Sequence, residues 1–258
     1  MHFHIITLFP EMFDSYLNES ILGRAIKNKK IKVTYINPRK FVTGKYKKVW
    51  PDGNISQQVD DRPYAGGPGM VMRAEPIIKA VEFLKTSILK QFSRSSDLLA
   101  KDIRKLKGEA RPKKLLQNLR RLNPEILVIN FVPSAEKFDT KMAKTFAKKY
   151  TDIIMICGRY EGIDARVDKI LKTKKVSIGD YVLTGGEIPA MILVDSISRQ
   201  VEGVLGNFDS REEERISSSE IYTRPEVLVC NGKKYKVPKV LLSGNHKDIE
   251  NWKSLKRG

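Results

Sequence analysis

Cysteine and histidine are scarce in this sequence of 258 residues, which has two cysteines and three histidines. Cys157 and Cys230 lie far apart, and neither has a Cys or His at ligand spacing, so the pattern argues against a zinc site. A disulfide is not expected in a cytosolic chain. His2 and His4 are interpreted as residues on one face of a strand rather than as a metal pair, so no metal-binding residue is predicted.

Long apolar runs are also missing. No run approaches the roughly 20 residues that a membrane-spanning helix needs. The apolar run near the amino terminus follows no basic segment and precedes no small-residue cleavage site, unlike a signal peptide. We therefore expect a cytoplasmic protein with no membrane partner.

Acidic residues are too few to balance the basic ones, since 30 Asp and Glu face 48 Lys and Arg for a net charge of +18. In a chain without a lipid-anchor motif, such an excess points to a polyanionic partner, most often a nucleic acid. Charge alone does not separate RNA from DNA, or an enzyme from a passive binder. Hydrophobic residues make up 41% of the chain, enough for a substantial core in one large domain or two small ones.

Short apolar runs alternate with helical patterns as far as residue 205. Buried strands are predicted at residues 5–9, 33–36, 126–131, 153–156 and 176–178. Helices are predicted between them, beginning with one from residue 11 to about 27. This alternation is typical of an α/β fold with a mainly parallel sheet and helices on both faces.

Glycine-rich turns end successive elements between residues 153 and 191, at 158–162, 179–181 and 184–187. Each places a Tyr or a carboxylate beside its glycine. Glycine leaves backbone groups bare, so that a flat ligand can approach them. Because ligands of open α/β sheets bind at the carboxyl ends of strands, the clustering indicates a binding pocket rather than ordinary turns.

A further glycine-rich loop, residues 60–70, precedes a predicted helix at 74–84. It has no Gly-Lys-Ser/Thr, and Met72 stands where GxGxxG needs its third glycine. A nucleoside triphosphate site and a dinucleotide-dependent oxidoreductase are therefore both disfavoured. The loop is interpreted as a structured element that contacts RNA or shapes a pocket.

Residues 85–121 carry 12 basic and 3 acidic residues, and their leucines and isoleucines follow helical spacing. This predicts two short basic amphipathic helices inserted into the α/β domain, which either contact RNA or form a solvated surface. Residues 207–220 are polar and aperiodic, and are predicted to be a mobile linker. The predicted organisation is an α/β domain over 1–206, this linker, and a small domain over 221–258 with a hairpin around Asn231 and a helix from His246.

A set of short segments occurs in a specific order. They are DDRPY (60–64), GGPGM (66–70), CGRYEG (157–162), SIGDYVL (177–183), GGE (185–187), YTRPE (222–226) and LSGNH (242–246). Over nearly its whole length the chain resembles the bacterial tRNA (guanine-N1)-methyltransferases, the TrmD family of SPOUT-class enzymes.

The resemblance implies a trefoil-knotted α/β domain, an exception to the usual unknotted topology. It also implies a homodimer with active sites at the subunit interface, S-adenosylmethionine as methyl donor, and help from Mg²⁺. The substrate implied is N1 of the guanine directly 3′ of the anticodon in tRNA. Match to the family's motifs gives the cofactor-binding residues as Pro133, Gly158, Ile178, Gly179, Asp180, Tyr181, Val182, Leu183, Gly185, Gly186 and Pro189.

The same resemblance implies three catalytic residues, Glu214, Arg199 and Glu161. Glu214 stands where the family has its catalytic aspartate and would remove the proton of guanine N1. Arg199 or Mg²⁺ would balance the negative charge that develops on the O6 side of the guanine, and Glu161 would help place the metal.

The chain departs from the family pattern at Glu214 and in inserted segments near 50–58 and 85–121. Its C-terminal domain is also shorter than the family's, so how it would bind the anticodon stem is left undetermined. Glu214 could instead be a solvated acid, and Arg199 a surface ion pair. A catalytically silent RNA-binding protein remains an alternative function.

Overall fold

The computed structural model describes residues 1–64, 66–105, 124–205 and 220–255, and for 96–105 it describes the backbone only. The chain divides into two compact units, Met1–Val204 and Leu205–Gly258. The predicted linker and Glu214 lie outside the described residues, except for Glu220. No helix in the described ranges is both long and apolar enough to cross a membrane.

The strands of the described residues are short, and none is longer than six residues. They are β1 (His2–Ile6), β2 (Lys32–Ile36), β3 (Lys47–Val49), β4 (Ile55–Gln57), β5 (Asp60–Asp61), β6 (Val71–Met72), β7 (Ile126–Phe131), β8 (Asp152–Ile156), β9 (Lys174–Val176), β10 (Val227–Cys230) and β11 (Lys233–Lys236).

The α-helices of the same ranges are α1 (Asp14–Leu17), α2 (Ser20–Lys27), α3 (Ala74–Lys105), α4 (Thr140–Lys149), α5 (Arg166–Leu171), α6 (Glu187–Ser198), α7 (Lys239–Leu242) and α8 (His246–Leu255), and 3₁₀ helices cover Pro10–Phe13, Pro38–Phe41 and Gly44–Tyr46. Side-chain caps fix several starts. Asp139 accepts a 2.7 Å hydrogen bond from the backbone N–H of Met142 at the start of α4.

A five-stranded sheet of order β2-β1-β8-β7-β9 forms the centre of the first unit, and its pairings within the described ranges are all parallel. Side chains alternate between its faces. Phe3 and Ile153 belong to one buried cluster, with Leu193 of α6, and Ile154 belongs to another, with Val81 of α3. The predicted α/β class, a mainly parallel sheet flanked by helices, is confirmed.

Several predicted boundaries are wrong. The helix predicted over residues 74–84 does not end at residue 84, because α3 runs unbroken from Ala74 to Lys105. Residues 85–105 contain no glycine or proline, and Gly108 comes only afterwards, so nothing ends the helix. The remainder of the predicted basic hairpin lies outside the described residues.

The helix predicted over residues 11–27 is instead a 3₁₀ turn followed by α1 and α2, which are separated by Asn18 and Glu19, and Ser20 at the start of α2 has a φ of 53°. Residues 40–61, predicted as one long loop, contain an antiparallel hairpin of β3 and β4 around the turn at Gly53. The first strand begins at His2 rather than Ile5, because Asp152 and Thr34 supply hydrogen-bond partners to its two histidines.

In the second unit the predicted hairpin is confirmed. Asn231 and Gly232 both have positive φ, 49° and 73°, as a type I′ turn requires between β10 and β11. The predicted cap of the last helix is also present, since Asn245 Oδ1 accepts a 3.1 Å hydrogen bond from the N–H of Lys247.

Candidate active site

A cavity of about 450 Å³ lies where β7, β8 and β9 end, and we call it the strand-end cavity. Its size falls in the roughly 300–1,000 Å³ range of small-molecule sites. The turn after each of these strands contributes lining: Pro133 after β7, Gly158 after β8, and Ile178 after β9. The start of α6 closes it with Gly186 and Pro189. Carboxyl ends of parallel strands therefore meet here, as the sequence predicted.

The structure brings the predicted cofactor-binding residues together. Those lining the strand-end cavity are Pro133, Gly158, Ile178, Gly179, Tyr181, Val182, Leu183, Gly185, Gly186 and Pro189. Asp180 is not part of this lining and instead pairs with Lys137. Glu161, predicted as a catalytic residue, also lines the cavity.

Two glycine turns touch through their backbones. The N–H of Gly186 donates a 2.9 Å hydrogen bond to the carbonyl of Gly158. A Cβ on Gly186 would lie 2.6 Å from Cys157 Cα, too close for any side chain. At the third turn, a Cβ on Gly179 would lie 2.3 Å from the ring of Tyr181, which folds back over this turn. Glycine is needed here for close approach.

A buried ion pair holds the turns in place. Arg159 Nε lies 3.0 Å from Glu187 Oε2, and the Glu187 residue is only 1% exposed. Glu187 Oε1 accepts a 2.8 Å hydrogen bond from Thr7 Oγ1, and the Arg159 guanidinium stacks 4.6 Å from the ring of Phe9. The segment after β1, the turn after β8 and the start of α6 are thus tied together.

Arg159, Glu187 and Thr7 were not predicted as site residues from the sequence. The signal was present, because a charged residue stood beside a glycine in both CGRYEG and GGE. Cys157 lies next to this pair, and burial raises the pKa of its thiol, to which the charge of Glu187 adds. The thiol therefore stays protonated and is a packing residue rather than a nucleophile.

A second polar group on the cavity wall centres on Asp168. Its Oδ1 accepts hydrogen bonds from Asn130 Nδ2 at 2.9 Å and Thr173 Oγ1 at 2.5 Å, and Lys175 Nζ lies 3.1 Å from Oδ2. Burial acts to raise the pKa of Asp168, but these hydrogen bonds outweigh it and the net pKa is lowered. The cavity wall thus carries a fixed carboxylate at neutral pH.

The glycine-rich loop at 60–70 packs against the turn after β8. The N–H of Glu161 donates a 3.0 Å hydrogen bond to the carbonyl of Met70, and a Cβ on Gly69 would lie 2.7 Å from Glu161 Cγ. Gly69 also has φ +90°. The loop therefore shapes the rim that positions Glu161, which agrees with one of the two interpretations of this loop.

Arg199 does not lie in the strand-end cavity. It lines a separate shallow pocket with Tyr16, Ile188 and Asp195, and this pocket follows the outer face of α6. Arg199 is ten residues beyond Pro189, which corresponds to roughly 15 Å along the helix axis. Within the single chain, the structure therefore separates Arg199 from Glu161 and the predicted cofactor residues.

Known proteins resemble this chain along almost all of its length. A family model described as tRNA (Guanine-1)-methyltransferase TrmD matches residues 1–96 and 106–257. The chain belongs to the TrmD family. The family match spans every turn of the strand-end cavity. It also includes residues 50–58 and, of the predicted insertion at 85–121, leaves only residues 97–105 unmatched, so the predicted insertions are larger than the family comparison supports.

Several relatives of the chain bear the name tRNA (guanine-N(1)-)-methyltransferase. The protein of Lachnospira eligens is 42% identical over 260 residues, covering 99% of this chain and 89% of its own length. That of Clostridioides difficile is 39% identical, covering 98% of this chain and 90% of its own length. That of Lachnoclostridium phytofermentans is 38% identical, covering 98% and 85%.

Proposed function

We propose that this chain is a tRNA (guanine-N1)-methyltransferase that transfers a methyl group from S-adenosylmethionine to N1 of the guanine directly 3′ of the anticodon. TrmD membership over nearly the whole chain carries the proposal, together with a cavity built from the family's glycine turns. The net charge of +18 suits a polyanionic substrate.

The strand-end cavity fits S-adenosylmethionine. Its volume of about 450 Å³ suits a ligand of this size, and the backbone from Ile178 to Leu183 offers donors and acceptors to an adenine ring. The contact between Gly186 and Gly158 leaves no side chain at that wall, so a flat ring can lie against the peptide. S-adenosylmethionine supplies an electrophilic methyl group on its sulfonium.

The chain's own residues would then remove one proton and stabilise one developing negative charge. Glu214 removes the proton from guanine N1 as the nitrogen attacks, because a protonated N1 has no free lone pair. The guanidinium of Arg199 balances the negative charge that develops on the O6 side. Glu161, at the cavity rim, helps to place Mg²⁺, on which we propose that activity depends.

A homodimer would explain how Arg199 and the residues of the strand-end cavity, which are separated within one chain, can act in one active site. Arg199 stands at the far end of α6 from the cavity, and the pocket that it lines also includes side chains that are exposed in the single chain: Ile188 is 47% exposed and Tyr16 44%. We propose a two-fold interface that covers this patch and places the Arg199 of one subunit at the cavity of the other.

The finer fold and domain assignments form part of the same proposal. We propose a trefoil knot within residues 1–206, a mobile linker at 207–220 that carries Glu214, and a small tRNA-binding domain at 221–258. We also propose a cytoplasmic location, because the tRNA substrate is found there. The family resemblance supports each of these.

The proposal is tested by incubating the purified chain with methyl-labelled S-adenosylmethionine and two tRNA transcripts. One has guanine 3′ of the anticodon and the other has adenine there. We expect label only in the first, and a primer-extension stop at that guanine. Addition of EDTA should reduce the rate if Mg²⁺ takes part. Tight tRNA binding without any label would instead favour the silent RNA-binding protein.

A further inference from the structure

A compact polar cluster lies at the other ends of the strands, where the sheet begins. We call His2, His4 and Asp152 the His–Asp cluster. His2 and His4 lie two residues apart on β1, so both point to one face of the sheet. Asp152 pairs directly with His2 across the β1–β8 ladder. His4 is 4% exposed and Asp152 9%, which is unusual for such polar residues.

One potential ligand atom of each side chain lies close to those of the other two. Asp152 Oδ1 lies 2.9 Å from His4 Nε2 and 3.7 Å from His2 Nδ1, and all three atoms are within 4.8 Å of one another. Ligands of a tetrahedral zinc ion with bonds of about 2.0–2.1 Å are roughly 3.4 Å apart. Small side-chain movements therefore convert the cluster into a metal-binding geometry.

Threonine hydroxyls occupy the outward atoms of the same groups. Thr34 Oγ1 lies 2.9 Å from His4 Nδ1 and 3.2 Å from His2 Nε2. Thr151 Oγ1 donates a 2.7 Å hydrogen bond to Asp152 Oδ2. Each ligand candidate is thus oriented from behind, while its inner atom lies close to those of the other two. Metal-binding histidines and carboxylates are typically held by such outer partners.

We propose that His2 Nδ1, His4 Nε2 and Asp152 Oδ1 bind one divalent transition-metal ion, with Zn²⁺ the best match. Two imidazoles and one carboxylate suit zinc, whereas Mg²⁺ prefers oxygen ligands only. Binding requires the neutral His4 to carry its proton on Nδ1, which then donates to Thr34 Oγ1. A water molecule would complete the four ligands.

The position of the His–Asp cluster defines what the ion does. β8 has five residues, so its start and end are roughly 13 Å apart, and the strand-end cavity begins beyond its end. The ion does not reach the methyl-transfer site. It instead pins β1 to β8, and through Thr34 to β2, so it adds to the stability of the sheet.

The test is calorimetric titration of ZnCl₂ into the full chain after EDTA treatment and dialysis, with Cys230→Ser as the parent so that the exposed thiol does not bind zinc. We expect one ion per chain and a rise in Tm. His2→Gln should weaken the affinity at least about 100-fold, and Thr34→Val, which keeps all three ligands, about 10- to 100-fold.

The matched control is His246→Gln, which removes the exposed histidine at the start of α8 and should leave zinc affinity unchanged. Methyl transfer to tRNA should be the same with and without zinc. Equal zinc affinity in the parent and in His2→Gln would overturn the proposal, and so would absence of binding in the parent. The cluster would then be only a hydrogen-bonded link between strands. An anomalous-scattering peak between the three side chains gives an independent readout that needs no variant.

Discussion

The N–H of Gly186 donates its hydrogen bond to the carbonyl of Gly158, so two turns that are 28 residues apart form one wall of the strand-end cavity. Gly186 cannot accept a side chain at this contact, because a Cβ there would lie 2.6 Å from Cys157 Cα. The wall is therefore made of peptide groups, and its shape depends on two residues rather than on the packing of many.

Gly186→Ala should weaken S-adenosylmethionine binding at least tenfold, because the new Cβ lies 2.6 Å from Cys157 Cα and forces the two turns apart. Isothermal titration measures the loss. Gly44→Ala is the control, since Gly44 has positive φ but open space around it. It reports the cost of backbone strain alone, and cofactor affinity should be normal. Equal affinity in Gly186→Ala and the parent would show that the ligand does not use this wall.

Glu187→Gln should lower the free energy of unfolding by about 3–5 kcal/mol, because it leaves Arg159 partly buried without its counter-charge. Urea denaturation of the metal-free chain gives this value. Thr7→Val should cost less, about 1–3 kcal/mol, since it removes only neutral-donor contacts: the hydrogen bond to Oε1 and the acceptor of the Phe9 N–H. Lys79→Ala breaks the exposed pair with Glu75 and should cost under about 1 kcal/mol. A similar cost for Glu187→Gln and Lys79→Ala would contradict the structural role of the buried pair.

Acid should destabilise the metal-free chain through His2. Burial, with smaller contributions from His4 and Lys32, lowers the pKa of His2 to about 3, and Asp152 opposes this only in part. Between pH 6.5 and 3 the unfolded chain therefore binds a proton at His2 that the folded chain does not. Stability should fall as the pH falls through this window, by up to about 1.4 kcal/mol per pH unit from this residue. His2→Gln in EDTA should have a shallower slope between pH 6.5 and 4, and an identical slope would exclude His2 as the cause.

Glu214→Gln should slow single-turnover methylation by about 10²–10⁴-fold, the usual loss when a general base is removed, while S-adenosylmethionine affinity stays nearly normal. Glu214→Asp restores the residue that the family has and should keep much of the activity. Glu213→Gln is the neighbouring control. If Glu214→Gln methylates at the wild-type rate and Glu213→Gln is slow, the general base is Glu213 rather than Glu214.

Basic residues on the described part of α3 should contribute to tRNA affinity if the insertion binds phosphates. A suitable triple variant combines Lys85→Gln, Lys90→Gln and Arg94→Gln. It leaves Ile88, which is buried in the core, unchanged. The slope of log affinity against log salt should become shallower by roughly 0.7–0.9 for each phosphate that the variant no longer neutralises. Glu82→Gln on the same helix is the control. An unchanged slope would make this segment a solvated surface.

Elements that depend on local pattern were predictable from the sequence. Runs such as 126–131 and 153–156 became β7 and β8, because a short apolar run rich in β-branched residues is typical of a strand buried on both faces. The glycine turns were predictable as a group for the same reason, since parallel strands must end on one edge.

Elements that depend on distant partners were not. The start of β1 was missed because His2 and His4 look polar until Asp152, about 150 residues later, is placed beside them. The break before α2 lies at Asn18 and Glu19, where neither glycine nor proline marks it. The separation of Arg199 from the cavity follows from the direction of α6, which no pattern of residues encodes.

The late position of α6 in the chain has a consequence for synthesis on the ribosome. All five strands of the sheet are complete once Val176 has left the exit tunnel, but the strand-end cavity still lacks the start of α6. A nascent chain therefore exposes a finished sheet with an unformed pocket until residues near Pro189 emerge. The cofactor can bind only afterwards, so ligand-induced stabilisation is confined to chains whose synthesis has passed this point.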